Sequence, residues 1–202
     1  MEKRRDLEKL FDSHIATLKY LGCPEQILKA LKNGKGKVLN HAESITIAKG
    51  NLAFAPVITP LYLGYHGIVS MVRHNGKSGY IYLDSANIED VEKVPVHLYY
   101  QFDVEDGTKY LGKKPEVSDK LIREEKRLRS TTAEIVSIGT HTDVLSKHYM
   151  DAVGSRYGSG GAPDLFLLDG RSALSCSSLA SAFALWGAAS CGSRLCGQRG
   201  NG

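Results

Sequence analysis

Apolar side chains between residues 5 and 20 fall at Leu7, Leu10, Phe11, Ile15 and Leu18. Spacings of three and four gather them on one side of a 3.6-residue turn, which predicts an amphipathic helix ended by Gly22. Pro24 suits the first turn of a second, shorter helix carrying Ile27, Leu28 and Leu31. "KNGKGK" then reads as a basic loop, and "ESITIAKG" and "LAFAPVI" read as strands by their β-branched and aromatic content. Pro56 puts the second of these at an edge or near its end.

Residues 61–73 return to helical spacing through Leu61, Tyr65, Ile68, Val69 and Val72. Asn75-Gly76 predicts a turn, because both residues tolerate positive φ, and "SGYIYLD" predicts the strand behind it. "VHLYYQFDVE" is a second strong strand, with "EDG" as its turn. Pro115 opens the charged helix "PEVSDKLIREEKRLR", and Thr131 with Glu134 forms a capping box for another. "APDLFLLDG" and "LASAFALWGAAS" read as core strands. Helices and strands alternate irregularly, which predicts one α+β domain over residues 1–196, with N-terminal helices and a mixed or antiparallel sheet. Residues 197–202 read as a flexible tail.

The composition, 42% hydrophobic and 24% charged in 202 residues, suits a soluble globular chain. "MEKRRDLEKLFD" has no apolar stretch for export, so a cytoplasmic location is expected, with the four cysteines as free thiols. Residues 172–193 carry no charge over 22 positions, long enough to span a bilayer, but seven of them are serine. Buried strands fit better than a span. The net charge of +4 collects at the two ends, leaving a slightly acidic middle. That pattern argues against specific nucleic-acid binding, which wants a concentrated basic face.

Several motifs look chemical. "HNGKSG" has the Gly-Lys-Ser of a phosphate loop, but Met71 stands where the earlier glycine belongs, and the segment precedes a strand. "DVEDG" groups Asp103, Glu105 and Asp106 without calcium-loop spacing, so these read as exposed strand-end and turn residues. His141, Asp143, His148 and Ser155 supply the residue types of a hydrolytic triad, but no G-x-S-x-G elbow occurs, and Asp143 with Lys147 reads as an i, i+4 pair. Cys191 and Cys196 lack the close Cys-x-x-Cys pairing of a structural zinc site. Small neighbours suit Cys191 to a buried position, Cys196 is expected to be accessible, and no metal or cofactor is expected.

The pieces "LFDSHIATLKYLGCPE", "VSMVRHNGKSGYIYLDSANIED", "YQFDVEDGTKYLGKKPEVSDKLI", "GSR" at 154–156 and "GAASCGSR" at 187–194 occur in that order. In them the chain resembles a bacterial family known as a domain of unknown function. The resemblance implies a shared fold and no activity, cofactor or catalytic residue. Its most distinctive pieces meet at Ser155, Arg156, Cys191 and Arg194, where two arginines could clamp a carboxylate or phosphate. A domain binding a small ligand or a protein partner is the first expectation, and an enzyme built on those four residues is the alternative.

Overall fold

In the computed structural model, which describes residues 2–196, helices α1 (Glu2–Tyr20), α2 (Glu25–Asn33) and α3 (Lys35–Ser44) open the chain. Strand β1 (Leu52–Val57), helix α4 (Pro60–Ser70) and strands β2 (Arg73–His74), β3 (Lys77–Ser78), β4 (Tyr80–Ile81), β5 (Ile88–Asp90) and β6 (Tyr99–Val104) follow. Then come α5 (Pro115–Glu124), β7 (Leu128–Arg129), α6 (Thr132–His141), β8 (Tyr149–Asp151), β9 (Ser155–Tyr157), β10 (Gly161–Leu168) and β11 (Arg171–Ser178). Strands β12 (Trp186–Ala188), β13 (Ser190–Cys191) and β14 (Ser193–Cys196) complete the described residues. The fold is α+β. No helix among these residues is long and apolar enough to cross a membrane.

The layers follow from which faces are apolar. Helix α1 buries Leu7, Phe11, Ile15 and Leu18, as their spacing predicts, and His14 with them, while Leu10 is half-buried. Phe11 stacks on Tyr100 at 5.9 Å between ring centres, and so seats the helix on a three-stranded antiparallel sheet in the order β1-β6-β14. All six residues of β6, the central strand, are buried. Pro56 lies within β1, opposite Tyr100, and is tolerated there because β1 is an edge strand.

Helix α6 lies on the other face of this sheet. Ser137 donates to the Pro56 carbonyl at 2.7 Å, and Gln101 donates to the Glu134 carbonyl at 3.2 Å. Its residues from Thr132 to Gly139 are all buried, as expected of a helix that is small or apolar all round. The second sheet packs against it through Leu165 and runs β12-β8-β10-β11-β4, with β9 joined to β10 and β5 to β9. Met150, Leu165 and Leu174 continue the same apolar core.

Several expectations are corrected here. The "KNGKGK" segment is no loop: Gly34 keeps right-handed helical angles, and α3 follows at once, burying Val38, Leu39 and Ala42. "ESITIAKG" is not a strand, because α3 consumes its start and a turn at 48–51 its end. The helix over 61–73 breaks at Gly64 (φ 62°, ψ 169°) and stops at Ser70. The charged helix ends at Glu124, since Lys126 turns left-handed (φ 58°). "LASAFALWGAAS" gives only the three-residue β12 and the first residue of β13, and Phe183 and Leu185 are exposed. The turns at Asn75-Gly76 and Asp169-Gly170 have positive φ at both residues and close the β2–β3 and β10–β11 hairpins. Residues 197–202, expected to form a tail, lie outside the described residues.

Candidate functional site

The end of β6 departs from regular strand geometry. Its ladder with β1 skips from Phe54–Phe102 to Leu52–Val104, and Asp103 between them has φ 49°. This conformation turns the Asp103 carboxylate inward, where Oδ1 accepts from the Ala48 amide and from Asn51 Nδ2, both at 2.8 Å. Arg127 completes the cluster: Nη1 donates to Asp103 Oδ2 and Nη2 to the Asp103 carbonyl, both at 2.5 Å, while Nε donates to Ser190 Oγ at 2.9 Å. Burial pushes the Asp103 carboxyl up, but the Ala48 amide, Arg127 and Asn51 outweigh it and hold the group below its ordinary range.

Beyond β6 the chain folds over Glu105. Its Oε2 accepts from the Gly107 amide at 3.1 Å and its Oε1 from the Lys109 amide at 2.8 Å. Burial nevertheless pushes this carboxyl up to about 7 against those two donors, with Asp106 adding to the rise. The loop is held from behind by a close backbone approach: a Cβ on Gly187 would stand 2.0 Å from the Gly107 carbonyl oxygen. Asp103 and Glu105 are therefore buried, at 8% exposure each, and not the exposed turn residues that the sequence suggested. Strand curvature and the Gly107–Gly187 contact enclose them.

The turn 48–51 and the loop 105–109 face each other across a cleft of 460 Å³, with Arg127 in its wall. That volume is within the range of small-molecule sites. The Asn51 amide donates to the Ala48 carbonyl at 3.1 Å, and Gly50 (φ 93°) lets the turn close, which sets Lys49 at its exposed tip. Among the described residues Lys49 forms no ion pair. Lys109, across the cleft, is held by Glu125 Oε2 at 2.5 Å, and Tyr110 donates to the same oxygen at 2.9 Å.

The four residues singled out in the sequence lie elsewhere, behind this cleft. Arg194 forks onto Glu134 with Nε and Nη2, and Cys191 is fully buried beside that pair, its thiol pushed well up by burial first and by Glu134 second. Ser155 accepts from the Thr132 amide at 2.9 Å and donates to Asp90 at 2.6 Å, so it also sits at the start of α6. Arg156 turns away to Asp119 and to the carbonyls of Val153 and Ser155. Three of the four thus converge on the α6 N-terminus, and both guanidinium groups are already paired with carboxylates.

The other motifs separate as well. His141 packs on His14, His148 is 3.0 Å from the Asp106 carbonyl oxygen, and Asp143 holds Lys147 at 2.9 Å, so His141, Asp143, His148 and Ser155 assemble no triad. "GAASCGSR" backs the cleft: Ser190 receives Arg127, and Gly192 lies against Asp103. Sequence reading missed Lys49, Lys109 and Arg127. The carboxylate grouping in "DVEDG" was the one available signal. Comparisons with protein-family models, with curated proteins and with solved structures returned no match.

Proposed function

We propose that this chain is a ligand-binding domain whose ligand is a small anionic molecule, a carboxylate or phosphate, held in the cleft between the turn 48–51 and the loop 105–109. The observation that carries this reading is Lys49, exposed at the tip of a glycine turn and without an ion pair among the described residues, on the rim of a cavity of ligand size. Lys109 on the opposite rim is held by Glu125 and Arg127 in the wall by Asp103, so the charge that an anion entering the cleft meets first is that of Lys49. The free thiols suit a reducing compartment, and we place the protein in the cytoplasm.

An enzymatic reading has its own support in Glu105. A carboxyl pushed up to about 7 in the wall of a cleft can give or take a proton at neutral pH. Each oxygen spends one lone pair on a backbone amide and keeps another for a ligand.

The test is a thermal-shift titration with inorganic phosphate, pyrophosphate, citrate and a set of small mono- and dicarboxylates at fixed ionic strength. At least one should raise the melting temperature saturably, since a ligand at 100 times its Kd adds about 2.7 kcal/mol. Lys49→Glu should abolish the shift, and Lys77→Glu, on the β2–β3 hairpin, should leave it intact. Shifts that do not saturate, or that survive Lys49→Glu, would remove the proposal. For the enzymatic reading, Glu105→Gln should keep binding and lose any turnover found with the bound compound.

A further inference from the structure

Asp151 on β8 and Asp164 on β10 stand directly opposite each other on neighbouring antiparallel strands. The next residues, Ala152 and Pro163, are joined by a bond from the Ala152 amide to the Pro163 carbonyl at 2.8 Å. The aspartates therefore occupy the alternate, non-hydrogen-bonded kind of pair, in which Cα atoms approach to about 4.5 Å and side chains are closest. Both are almost completely enclosed, at 1% and 2% exposure. The Oδ1 atom of each has no hydrogen-bond donor among the described residues. Asp164 Oδ2 accepts from Ser177 Oγ.

Among the described residues no cation compensates the pair. Burial, and then Asp164, push the Asp151 carboxyl up to about 7. Burial pushes Asp164 up to about 6 even though Ser177 and the Trp186 indole act the other way. The titratable groups on the elements packed around them are Tyr149 of β8, Arg156 and Tyr157 of β9, Arg171 and Cys176 of β11, Lys109 and Tyr110 of the 108–110 turn, Glu116, Asp119, Lys120, Arg123 and Glu124 of α5, and Glu134 and His141 of α6. Lys109 is taken by Glu125, Lys120 by Glu124, and Arg123 and Arg156 by Asp119, while Arg171, at the far end of β11, donates to the Ser78 carbonyl. Burial first, and Asp164 second, push the Cys176 thiol up. Helix α6 packs on the opposite face of β10, through Leu165.

Two carboxylates this close and this enclosed cannot both ionise without a counter-charge. A single proton placed between the two Oδ1 atoms satisfies both unpartnered oxygens at once. We propose that Asp151 and Asp164 share one proton, that this bridge clasps β8 to β10, and that its loss to solvent as pH rises loosens the outer edge of the sheet at Trp186. Strand β12 is that edge: it pairs with β8 alone in its sheet, over three residues, and Trp186 packs edge-on against Tyr149 at 4.6 Å. Gly187 of β12 touches Gly107 in the loop lining the cleft, so the movement reaches the cleft. That last link alone rests on the cleft being a ligand site.

Trp186 is the single tryptophan of the chain, so its emission reads the clasp directly in ligand-free protein. Emission should titrate between the two values given above, and protein labelled with ¹³C at the aspartate carboxyls should show two signals titrating over the same range. Asp151→Asn replaces the shared proton with an amide that donates to Asp164. It should hold Trp186 in its low-pH emission throughout and move the Asp164 titration below its wild-type position, burial still holding it up. Asp164→Asn should do the same for Asp151. Glu105→Gln should leave the emission titration in place, which separates the clasp from the cleft carboxyl. Survival of the titration in both asparagine variants would overturn the clasp. So would a wild-type spectrum in which every aspartate finishes titrating below about pH 5, a result that needs no variant to fold.

Discussion

Arg194 grips Glu134 with a fork, Nε to Oε1 at 2.6 Å and Nη2 to Oε2 at 2.8 Å, with side chains only 6% and 0% exposed. The Thr131 amide donates to the same Oε2 at 2.8 Å, so the pair also closes the capping box of α6. Removing one partner of a buried pair leaves the other charge uncompensated. Arg194→Ala should therefore lower stability by about 3–5 kcal/mol in urea unfolding, and Arg194→Lys, which cannot fork, should recover little of it. A loss of under about 1 kcal/mol would show that water reaches Glu134 readily.

His14 and His141 lie against each other at 4.4 Å between ring centres, their planes tilted by 45°, joining α1 to α6, and none of their four ring nitrogens has a hydrogen-bond partner among the described residues. Burial pushes His14 down to about 4, and burial with the neighbouring His14 pushes His141 well down. Between pH 6.5 and about 4 the unfolded chain holds protons that the fold refuses. Stability from neutral His14 is thus complete above that window and is lost as pH falls through it, by up to about 1.4 kcal/mol per pH unit. His14→Phe should gain on the wild type as pH falls from 6.5 to 5 in urea melts. A constant difference would mean that His14 titrates normally.

The cysteines should separate by reactivity. Cys196 is exposed, whereas Cys191 is fully buried with its thiol pushed well up. Cys23 is buried and pushed up to about 11, by burial first and by Glu25 second. The Ellman reagent should modify Cys196 quickly and reach Cys23 and Cys191 only as the protein unfolds. Rapid selective labelling of Cys191 would contradict its burial.

Gly187→Ala should be severely destabilising, because its Cβ would fall 2.0 Å from the Gly107 carbonyl oxygen and backbone cannot swing aside as a side chain can. A loss of about 3 kcal/mol or more is expected, with the loop 105–109 becoming sensitive to protease before the rest of the molecule. Equal stability would mean that the two backbones separate at little cost.

Local rules carried the fold as far as local physics decides it. The stripe Leu7, Phe11, Ile15 and Leu18, the Thr131–Glu134 box and the Asn75-Gly76 turn are contained in a few adjacent residues, and each is where its spacing predicts. Helix α3 was hidden because Gly34 and Gly36 look like loop residues while the apolar Val38, Leu39 and Ala42 are what fix it. "ASAFALW" has the hydrophobicity of a core strand, yet Phe183 and Leu185 stay exposed, since hydrophobicity alone does not decide which apolar run is covered. The cleft was less legible still. Asp103 becomes a buried carboxylate only because Arg127, 24 residues later, returns to it, and Lys49 stands opposite Lys109 only once the 48–51 turn is docked on β6. Such juxtapositions are products of the tertiary fold, and "DVEDG" announces only that carboxylates are present.

The three-stranded sheet joins residues 52–57, 99–104 and 193–196. A nascent chain emerging from the ribosome can assemble the helices and pair Leu52–Val57 with Tyr99–Val104 long before Ser193–Cys196 exists. Through that interval Tyr99–Val104 presents a bare hydrogen-bonding edge, an invitation to pair with another chain. Glu134 meanwhile waits without Arg194, which arrives on the very strand that seals the edge. Completion of the pairing of Tyr99–Val104 and neutralisation of a buried charge are therefore one event in biosynthesis, and a ribosome stalled between residues 141 and 193 would hold an aggregation-prone, charge-frustrated intermediate.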